Sequence, residues 1–375
     1  MGSEVHQGVA FLGVGQNETR VFGLTPAERA RRFAAKAKLA PVDRVPADGP
    51  VIVADLRFAW DPAWLAHLRD HHDLAVTWRG RPALVHCADP ARAAAVVAAI
   101  ETGAPLPPGF AVQDAELDAS LYNATLRKRE NAYLLPLTPE AAPVIEKASY
   151  DASYKGVTDI LTLYLWRGAA FRITRWAAYM RMTPNMVTTI GVVLCIWAFF
   201  LFWQGHFAAG LLVGLIFMVL DTVDGKLARC TGTSSEWGNI LDHGVDLVHP
   251  PFWYWAWGMG CAAWGLAFAS TEFWIIMGVL VAGYAVQRAI EGAFIASFRI
   301  HIHVWERIDS RFRLITARRN PNYILLVASL VVARPDWGLV WVAWWTALSC
   351  LFHLVRLMQA YGARSKGREV VSWLA

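Results

Sequence analysis

The sequence predicts a polytopic α-helical membrane protein with six transmembrane helices, preceded by a small cytoplasmic α/β domain and an interfacial amphipathic helix. Three observations predict this fold class. The chain after residue 185 contains six long apolar runs, the first 145 residues alternate between strand and helix patterns, and Lys and Arg concentrate in alternate loops. Charged residues make up 17% of the chain, compared with roughly 25% in soluble domains. The composition therefore favours a membrane protein that also has a soluble part.

The first 145 residues predict a small layered α/β domain. An apolar run at 9–13 predicts a strand, and the next helix is predicted to start at Thr25, a good N-cap that precedes Pro26. Glu28, three residues after the cap, strengthens this start. Similar patterns predict strands at 51–56, 74–78 and 82–88 and helices at 61–71 and 89–101. The alternation of the two types favours one sheet covered by helices.

The loop after the first predicted strand, at 13–23, contains glycines but is a poor phosphate-binding loop. Gly13 and Gly15 are followed by Gln-Asn-Glu-Thr rather than by closely spaced glycines that enter a helix.

No signal peptide is evident, so we expect this part of the chain to stay in the cytoplasm. Residues 103–123 are rich in proline and predict an irregular linker. The five cysteines lack paired spacing, which argues against a disulfide framework or a zinc site.

A basic amphipathic segment precedes the apolar runs. Between 156 and 179, Leu, Trp, Phe and Ile recur among three arginines, as in a helix that lies in the membrane interface. A soluble basic helix is the alternative. The apolar runs follow at 186–204, 207–228, 236–262, 270–292, 321–333 and 337–360. All but the fifth come close to the length that a bilayer requires, about 17–25 residues.

The distribution of basic residues predicts the orientation in the membrane. The loops at 204–206, 261–272 and 334–336 contain almost no Lys or Arg, whereas the opposite loops contain many. We therefore expect a multi-pass protein of the cell (inner) membrane. By the positive-inside rule, both of its termini lie in the cytoplasm. The basic residues behind this prediction are Arg167, Arg172, Arg175, Arg181, Lys226, Arg229, Arg299, Arg307, Arg311, Arg313, Arg318, Arg319, Arg364, Lys366 and Arg368.

Four aspartates interrupt the second and third apolar runs. Asp221 and Asp224 share one helical stripe, Asp242 and Asp246 share another, and we expect the two stripes to face each other across a cleft. An ionised Asp at the centre of a membrane helix costs about 2.5–3.5 kcal/mol, so four of them require compensation. Hard divalent cations supply it and also bind phosphate. We therefore predict a metal site that handles phosphate; the alternative for each aspartate is an interhelical hydrogen bond.

The same stretch resembles the signature of the CDP-alcohol phosphotransferase (CDP-alcohol phosphatidyltransferase) family of integral-membrane enzymes. The signature is D-x2-D-G-x2-A-R-x8-G-x3-D-x3-D, and its positions are filled by Asp221, Asp224, Gly225, Ala228, Arg229, Gly238, Asp242 and Asp246. The resemblance implies a transferase of phospholipid synthesis, of EC 2.7.8 type. It also implies that the four aspartates bind Mg²⁺ or Mn²⁺, as two ions, and that Asp246 acts as the base on the acceptor hydroxyl.

The resemblance further assigns a nucleotide site. Its candidate residues are Gly225, Ala228, Arg229, Gly238, Asn185 and Thr188. The small residues would let the nucleotide lie against the helix backbone, and the arginine would pair with a phosphate. Asn185 and Thr188 match a Pro-Asn and Thr pattern that the family often has at the start of the first span. The structural alternative for this segment is a helix N-cap.

The resemblance also covers the domain organisation. Some family members carry an N-terminal cytidylyltransferase-like domain, and residues 1–145 resemble a reduced version of one. The altered glycine loop leaves two alternatives open, a structural or docking role and a second activity. The other predicted domains are an amphipathic helix at 146–182, the six-helix membrane domain at 183–363 and a basic cytoplasmic tail at 364–375. Family members are commonly homodimers, and we expect a homodimer that binds membrane lipids and no nucleic acid.

The resemblance implies a specific reaction for this chain. A phosphatidyl group is transferred from CDP-diacylglycerol to a small alcohol, and CMP is released. Arg288 and Arg299, in and after the fourth span, are candidate acceptor-binding residues and favour a phosphorylated alcohol such as inositol phosphate or glycerol phosphate. An internal pair between Arg288 and Glu291 is the alternative. Two other functions stay open: transfer of a CDP-linked headgroup to a lipid alcohol such as diacylglycerol, and transport of divalent cations.

Overall fold

The structure, a computed structural model, describes residues 8–123, 126–234 and 236–374. The chain divides into two units. The first comprises Met1–Tyr154, Arg175–Met182 and Lys226–Thr233, and the second comprises Lys155–Thr174, Thr183–Gly225 and Ser234–Ala375. The last turn of one long helix therefore belongs to the first unit, while the rest of that helix belongs to the second.

The first unit is built around a mixed β-sheet. Its strands are β1 (Ala10–Val14), β2 (Ala40–Val42), β3 (Val51–Asp55), β4 (Phe58–Trp60), β5 (Leu74–Trp78), β6 (Arg81–Cys87), β7 (Ala111–Asp114), β8 (Ser120–Asn123), β9 (Lys128–Asn131) and β10 (Leu134–Pro136). Its helices are α1 (Pro26–Lys36), α2 (Ala63–Arg69), α3 (Pro90–Thr102) and α4 (Ala142–Ala152). Six of the described strands form one sheet in the order β2-β1-β3-β6-β5-β7.

Helices cover both faces of this sheet. Alternate residues of β3 point to opposite sides, so that Ile52 belongs to the core that includes Trp64 of α2, whereas Val53 belongs to the core that includes Val96 of α3. Thr25 caps α1 by accepting a hydrogen bond from the backbone N–H of Glu28. The sheet is not purely parallel, because β6 runs antiparallel to both β3 and β5.

The predicted linker at 103–123 is wrong in part. It contains β7, which pairs in parallel with β5, and β8, which pairs with β9. Both strands have only four residues, and β7 lies at the edge of the sheet with Val112 exposed. Such short edge strands lack the alternation of buried and exposed residues on which strand prediction depends, and the surrounding prolines indicate a loop.

The first unit also takes in the last turn of the aspartate-bearing helix and the residues after it. The Arg32 guanidinium of α1 donates a 3.2 Å hydrogen bond to the carbonyl of Thr231. The ammonium of Lys226 lies 2.9 Å from the centroid of the Tyr154 ring. Gly232, in a left-handed conformation with φ 66°, leaves room for Arg32, since a Cβ there would lie 3.1 Å from the Cβ of Arg32. These contacts fix the end of the helix against α1.

The remaining α-helices of the described chain include those at the predicted spans. They are α5 (Arg167–Tyr179), α6 (Pro184–Trp203), α7 (Phe207–Thr231), α8 (Glu236–Gly260), α9 (Ser270–Phe298), α10 (Arg307–Arg313), α11 (Arg319–Val331) and α12 (Pro335–Ser365). The predicted amphipathic segment at 156–179 is helical mainly from Arg167 onwards, after a π-type turn at Leu161–Leu165. The carboxylate of Asp159 accepts a hydrogen bond from the Thr162 N–H and begins a separate turn there.

Helices occupy all six predicted spans, but they are not equivalent. Four of them, α6, α7, α9 and α12, are long and apolar enough to cross a membrane. α8 carries the motif aspartates and contains Pro250 and Pro251. α11 has 13 residues and is about 20 Å long at 1.5 Å per residue, shorter than a hydrocarbon core of about 30 Å. Among the described residues, four helices are therefore candidate spans, and two further helices fill the other predicted positions.

Candidate active site

The two aspartates of α7 have different partners. Asp224 is buried, and its carboxylate accepts a 2.6 Å hydrogen bond from the hydroxyl of Thr188 on α6. Asp221, almost one turn earlier, forms an ion pair of 2.7 Å with Arg319, the first residue of α11. Thr188 therefore contacts the motif directly, although its part in nucleotide binding stays a prediction. Thr183 caps α6, as the structural alternative for this segment predicts.

Arg319 joins the aspartates of two helices. One nitrogen of its guanidinium donates a hydrogen bond of 2.6 Å to Asp246 on α8, and another donates the 2.7 Å bond to Asp221 on α7. The guanidinium also lies 5.0 Å from the centroid of the Phe217 ring. The exposed fraction is 12% for the Arg319 side chain, 18% for Asp221 and 44% for Asp246. Carboxylates from the second and third predicted spans thus converge on one cation.

Neighbouring polar contacts hold the start of α11 in place. The side-chain amide of Asn320 donates a 3.0 Å hydrogen bond to the carboxylate of Asp159, and its oxygen accepts one of 3.1 Å from the Nε of Arg319. Asn322, on the same helix, donates a 2.7 Å hydrogen bond to the hydroxyl of Tyr254 on α8. All three nitrogen positions of the Arg319 guanidinium are therefore engaged, and the side chain is held in one orientation.

The arrangement differs from the predicted cleft of four free carboxylates. Two carboxylates share Arg319, a third accepts from Thr188, and the side chain of Asp242 lies outside the described residues. Among the residues that the structure describes, no group of three or more His, Cys, Asp or Glu side chains is arranged to hold a metal ion. The donor chemistry nevertheless fits a divalent cation, because carboxylate oxygens from two helices already converge on a positive charge, and Mg²⁺ and Mn²⁺ prefer such oxygens.

A second charged cluster surrounds Glu291 of α9. The same carboxylate oxygen accepts from Arg318 at 2.5 Å, from Arg288 at 2.9 Å and from the His303 ring at 3.2 Å. The predicted internal pair between Arg288 and Glu291 is thus present, but the carboxylate is shared with a second arginine. Two guanidinium groups on one carboxylate give this cluster an excess of positive charge.

Several polar atoms near this cluster have no hydrogen-bond partner within the described part of the chain. His353 of α12 is 1% exposed, its ring lies 5.3 Å from that of His303, and neither of its ring nitrogens is paired. The Nε atoms of Arg288 and Arg318 and one terminal nitrogen of Arg313 are also buried and unpaired. Donors left unpaired beside excess positive charge fit an anionic ligand.

Sequence reasoning found only part of this cluster. It named Arg288 correctly as a member but paired it with Arg299, which is exposed where α9 ends, in a left-handed conformation with φ 60°. The helix continues to Phe298 rather than ending near 292, so Arg299 lies farther along α9 than expected. Arg318 and Arg319 entered the sequence analysis only as part of a basic loop. Two arginines directly before an apolar run were the available signal.

The other predicted nucleotide-binding residues occupy the expected helices. Gly225 and Ala228 lie on α7, Arg229 lies in its last turn, and Gly238 lies in the first turn of α8. Asn185 is exposed in the first turn of α6. Their contacts with a nucleotide stay predictions.

Comparison with known proteins identifies the domain that holds these residues. Residues 181–317 match the family described as CDP-alcohol phosphatidyltransferase, and this stretch contains the complete signature from Asp221 to Asp246. The chain contains a CDP-alcohol phosphatidyltransferase domain. The resemblance on which the sequence analysis relied is therefore confirmed, and Arg288, Glu291 and His303 fall within the matched residues as well.

Relatives of this CDP-alcohol phosphatidyltransferase domain carry different names. The chain is 30% identical over 136 residues to Cholinephosphotransferase 1 of Danio rerio. This alignment covers 31% of this chain and 32% of the relative. It is 31% identical over 119 residues to Archaetidylinositol phosphate synthase of Pyrococcus horikoshii, and this alignment covers 32% of this chain and 61% of the relative. The chain thus spans about a third of the first relative and about three fifths of the second.

A solved structure is also similar to the chain. It is phosphatidylinositol phosphate synthase of Mycobacterium tuberculosis in complex with manganese and citrate, with 18% sequence identity and a TM-score of 0.40. The similarity covers 50% of this chain and 88% of that one.

The N-terminal unit contains an acidic residue at the place where nucleotides commonly bind in α/β folds. Asp55 ends β3, beside Gly15 of the loop after β1, at the carboxyl ends of two parallel strands. Its carboxylate is buried and accepts two hydrogen bonds of 2.9 Å, one on each oxygen, from the Arg57 side chain, together with one from the Arg57 N–H. Both oxygens are therefore already engaged within the protein.

Proposed function

We propose that this protein transfers a phosphatidyl group from CDP-diacylglycerol to the hydroxyl of a small phosphorylated alcohol such as inositol phosphate or glycerol phosphate. The acceptor oxygen forms a bond to the β-phosphorus, the bond between that phosphorus and the oxygen of CMP breaks, and the acceptor proton passes to a carboxylate. The observation that carries this proposal is the convergence of Asp221 and Asp246 within the matched domain.

The proposal gives each motif residue a task. Asp221, Asp224 and Asp242 hold the divalent cations, and Asp246 adjoins them and accepts the proton of the attacking hydroxyl. When bound, two Mg²⁺ or Mn²⁺ ions neutralise the diphosphate and stabilise the leaving oxygen. Thr188 orients the carboxylate of Asp224 through their 2.6 Å hydrogen bond. Arg229 and the small residues Gly225, Ala228 and Gly238 hold the cytidine diphosphate.

The Glu291 cluster supports a phosphorylated acceptor. Arg288 and Arg318 share one carboxylate, so this group of three side chains has one positive charge in excess, which the negative charge of a phosphate would offset. His303 and His353, whose ring centroids lie 5.3 Å apart, add ring nitrogens to this region. Arg299 stays a further candidate for the acceptor at the exposed end of α9. The archaeal relative is named for an inositol phosphate product, which agrees with this acceptor class.

Two other functions remain as alternatives. Transfer of a CDP-linked headgroup to diacylglycerol is favoured by the name of the zebrafish relative, Cholinephosphotransferase 1. A divalent-cation transporter would account for the aspartates, but it needs neither the arginine of the signature nor a match to this family.

The assembly in the membrane is part of the proposal. We infer that α8 and α11 cross the membrane together with the four candidate spans, which gives six spans with both termini and the aspartates on the cytoplasmic side of the cell (inner) membrane. The basic residues of the connecting loops support this orientation. A homodimer of this kind would bind membrane lipids and would have no nucleic-acid partner.

For the N-terminal unit we propose a structural role rather than a second activity. The pairing of Asp55 with Arg57 supports this, since the guanidinium neutralises the carboxylate within the unit itself. The contacts of Arg32 with Thr231, and of Tyr154 with Lys226, give the unit a structural task at the end of α7.

The test is release of CMP by the purified protein. Protein in detergent receives CDP-diacylglycerol, Mn²⁺ and either inositol phosphate, glycerol phosphate or no acceptor, and the lipid product is identified by mass spectrometry. We expect CMP release that depends on the acceptor, and a phospholipid that retains the phosphate of the acceptor. Release of CMP only from a CDP-linked headgroup in the presence of diacylglycerol would instead establish the alternative direction.

A further inference from the structure

Arg319 supplies the positive charge at the place where the aspartates converge. Its guanidinium bridges Asp221 and Asp246 at 2.7 Å and 2.6 Å, rests on the Phe217 ring and is oriented by Asn320. A side chain that is 12% exposed and bound at every nitrogen position is an integral part of this site. The signature of the family does not include this position, and the bridge became evident only from the structure.

A bridging guanidinium and a divalent cation place conflicting demands on the same carboxylates. The guanidinium uses Oδ2 of Asp221 and Oδ1 of Asp246 as acceptors, and a cation requires lone pairs of the same two groups. Two positive charges between one pair of carboxylates also repel each other, and burial strengthens that repulsion. The two cations therefore exclude each other, at least in part.

We propose that Arg319 is an internal counter-cation that competes with the divalent metal for Asp221 and Asp246. In the metal-free protein it holds α7 and α8 together through their carboxylates. When metal binds, the carboxylates are transferred to the metal and the guanidinium is displaced from them. This inference rests on the proposed function for the presence of a metal, but it concerns binding and can be tested without turnover.

The competition predicts effects of opposite sign for one substitution. Arg319→Gln leaves two carboxylates without their shared cation, so the metal-free protein should have a lower Tm than wild type. The same substitution removes the competitor, so Mn²⁺ should bind more tightly, by about tenfold, within the range of typical coupling between ligands. The rise in Tm on adding Mn²⁺ should accordingly be larger for the variant than for wild type.

The experiment measures Mn²⁺ binding by isothermal titration and Tm in EDTA and in Mn²⁺, on the full chain in detergent. Arg318→Gln is a matched control, because it removes the same charge one residue earlier from a side chain that pairs with Glu291 instead. It should leave Mn²⁺ affinity within about twofold of wild type, since the Arg318 guanidinium contacts Glu291 and His303 rather than Asp221 or Asp246. Arg319→Lys keeps the charge but cannot bridge both carboxylates as a guanidinium does. Its Mn²⁺ affinity and its Tm should lie between those of wild type and Arg319→Gln.

Clear outcomes would overturn the proposal. Weaker or unchanged Mn²⁺ binding by Arg319→Gln would show that Arg319 supports the metal site or does not touch it. Equal gains in affinity for Arg318→Gln would show a general effect of net charge. If Arg319→Gln does not fold without metal, the Mn²⁺ affinity of Arg319→Lys is compared with that of wild type instead, and an affinity no tighter than that of wild type would overturn the proposal. Absence of Mn²⁺ binding in all proteins would overturn the inference, whereas normal competition without CMP release would overturn only the proposed reaction.

Discussion

Two ion clusters in the helical part of the protein have opposite balances of charge. Around Arg319, two carboxylates share one guanidinium, whereas around Glu291, two guanidinium groups and a histidine share one carboxylate. Among these contacts, carboxylates outnumber guanidinium groups in the first cluster, and guanidinium groups outnumber carboxylates in the second. Isolated structural ion pairs would instead be balanced, because buried uncompensated charge is costly.

Under the proposed function, this difference assigns a ligand to each cluster. The acid-rich cluster around Arg319 is suited to cations, and through them to the diphosphate of the donor. The base-rich cluster around Glu291 is suited to an anion, and a phosphorylated acceptor is the anion that the reaction would supply. In this account, the two clusters divide recognition of donor and acceptor between α7 and α8 on one side and α9 and α12 on the other.

The largest effect should come from the acid-rich cluster. Asp246→Asn removes the proposed base, and loss of a general base typically lowers the rate about 100-fold to 10,000-fold. CMP release should fall by that factor while CDP-diacylglycerol still binds, which a binding assay with labelled donor can measure. A rate within twofold of wild type would rule out Asp246 as the base.

The base-rich cluster should respond most strongly in stability. Glu291→Gln removes the only carboxylate found between Arg288 and Arg318 among the described residues, and breaking such a buried pair costs about 3–5 kcal/mol. Denaturation in detergent should show that loss of unfolding free energy. The matched change in the other cluster, Asp221→Asn, leaves Arg319 balanced by Asp246, so the metal-free protein should lose far less. Equal losses would contradict the charge balances described here.

A moderate effect should distinguish acceptor from donor. Arg318→Gln removes a charged donor to the acceptor phosphate, and hydrogen bonds to charged groups contribute about 1.5–3 kcal/mol, which corresponds to about a 10-fold to 100-fold increase in KM. The KM for inositol phosphate should rise by that factor, and the KM for CDP-diacylglycerol should stay unchanged. Arg299→Gln tests the other acceptor candidate, which is exposed at the end of α9, and should raise this KM less. A larger effect from Arg299 would move the acceptor site to the helix end.

The smallest effect should come from Thr188. Thr188→Val removes the hydrogen bond that orients Asp224, so kcat/KM should fall about tenfold, as expected for a hydrogen bond to a charged group. The next residue provides the control, since the hydroxyl of Thr189 donates to the carbonyl of Asn185 within its own helix. Thr189→Val should change kcat/KM less than twofold, and similar losses in both variants would remove Thr188 from the site.

The sequence predicted the helices that carry the motif better than it predicted the contacts between them. The spacing of Asp221, Asp224 and Asp246 with the small residues identified the family, and helices occur at every predicted span. These features are local, since helical spacing and apolar length can be read from a single segment. The same is true of α1, whose Thr25 cap was predicted from three residues.

The sequence could not predict contacts between distant segments. Arg319 is 98 residues from Asp221 and 73 from Asp246, and no local pattern links them. Two adjacent arginines, Arg318 and Arg319, enter different clusters because they point to different sides of the chain at the start of α11. The edge strand β7 was missed for a related reason, since its partner is remote and its side chains are exposed.

The most direct test of the division between the two clusters is acceptor discrimination. Steady-state CMP release is measured with CDP-diacylglycerol and matched pairs of acceptors, inositol phosphate against inositol and glycerol phosphate against glycerol, for wild type and Arg318→Gln. We predict that wild type uses only phosphorylated acceptors efficiently and that the preference collapses in the variant. Equal use of phosphorylated and unphosphorylated alcohols by wild type would contradict the account.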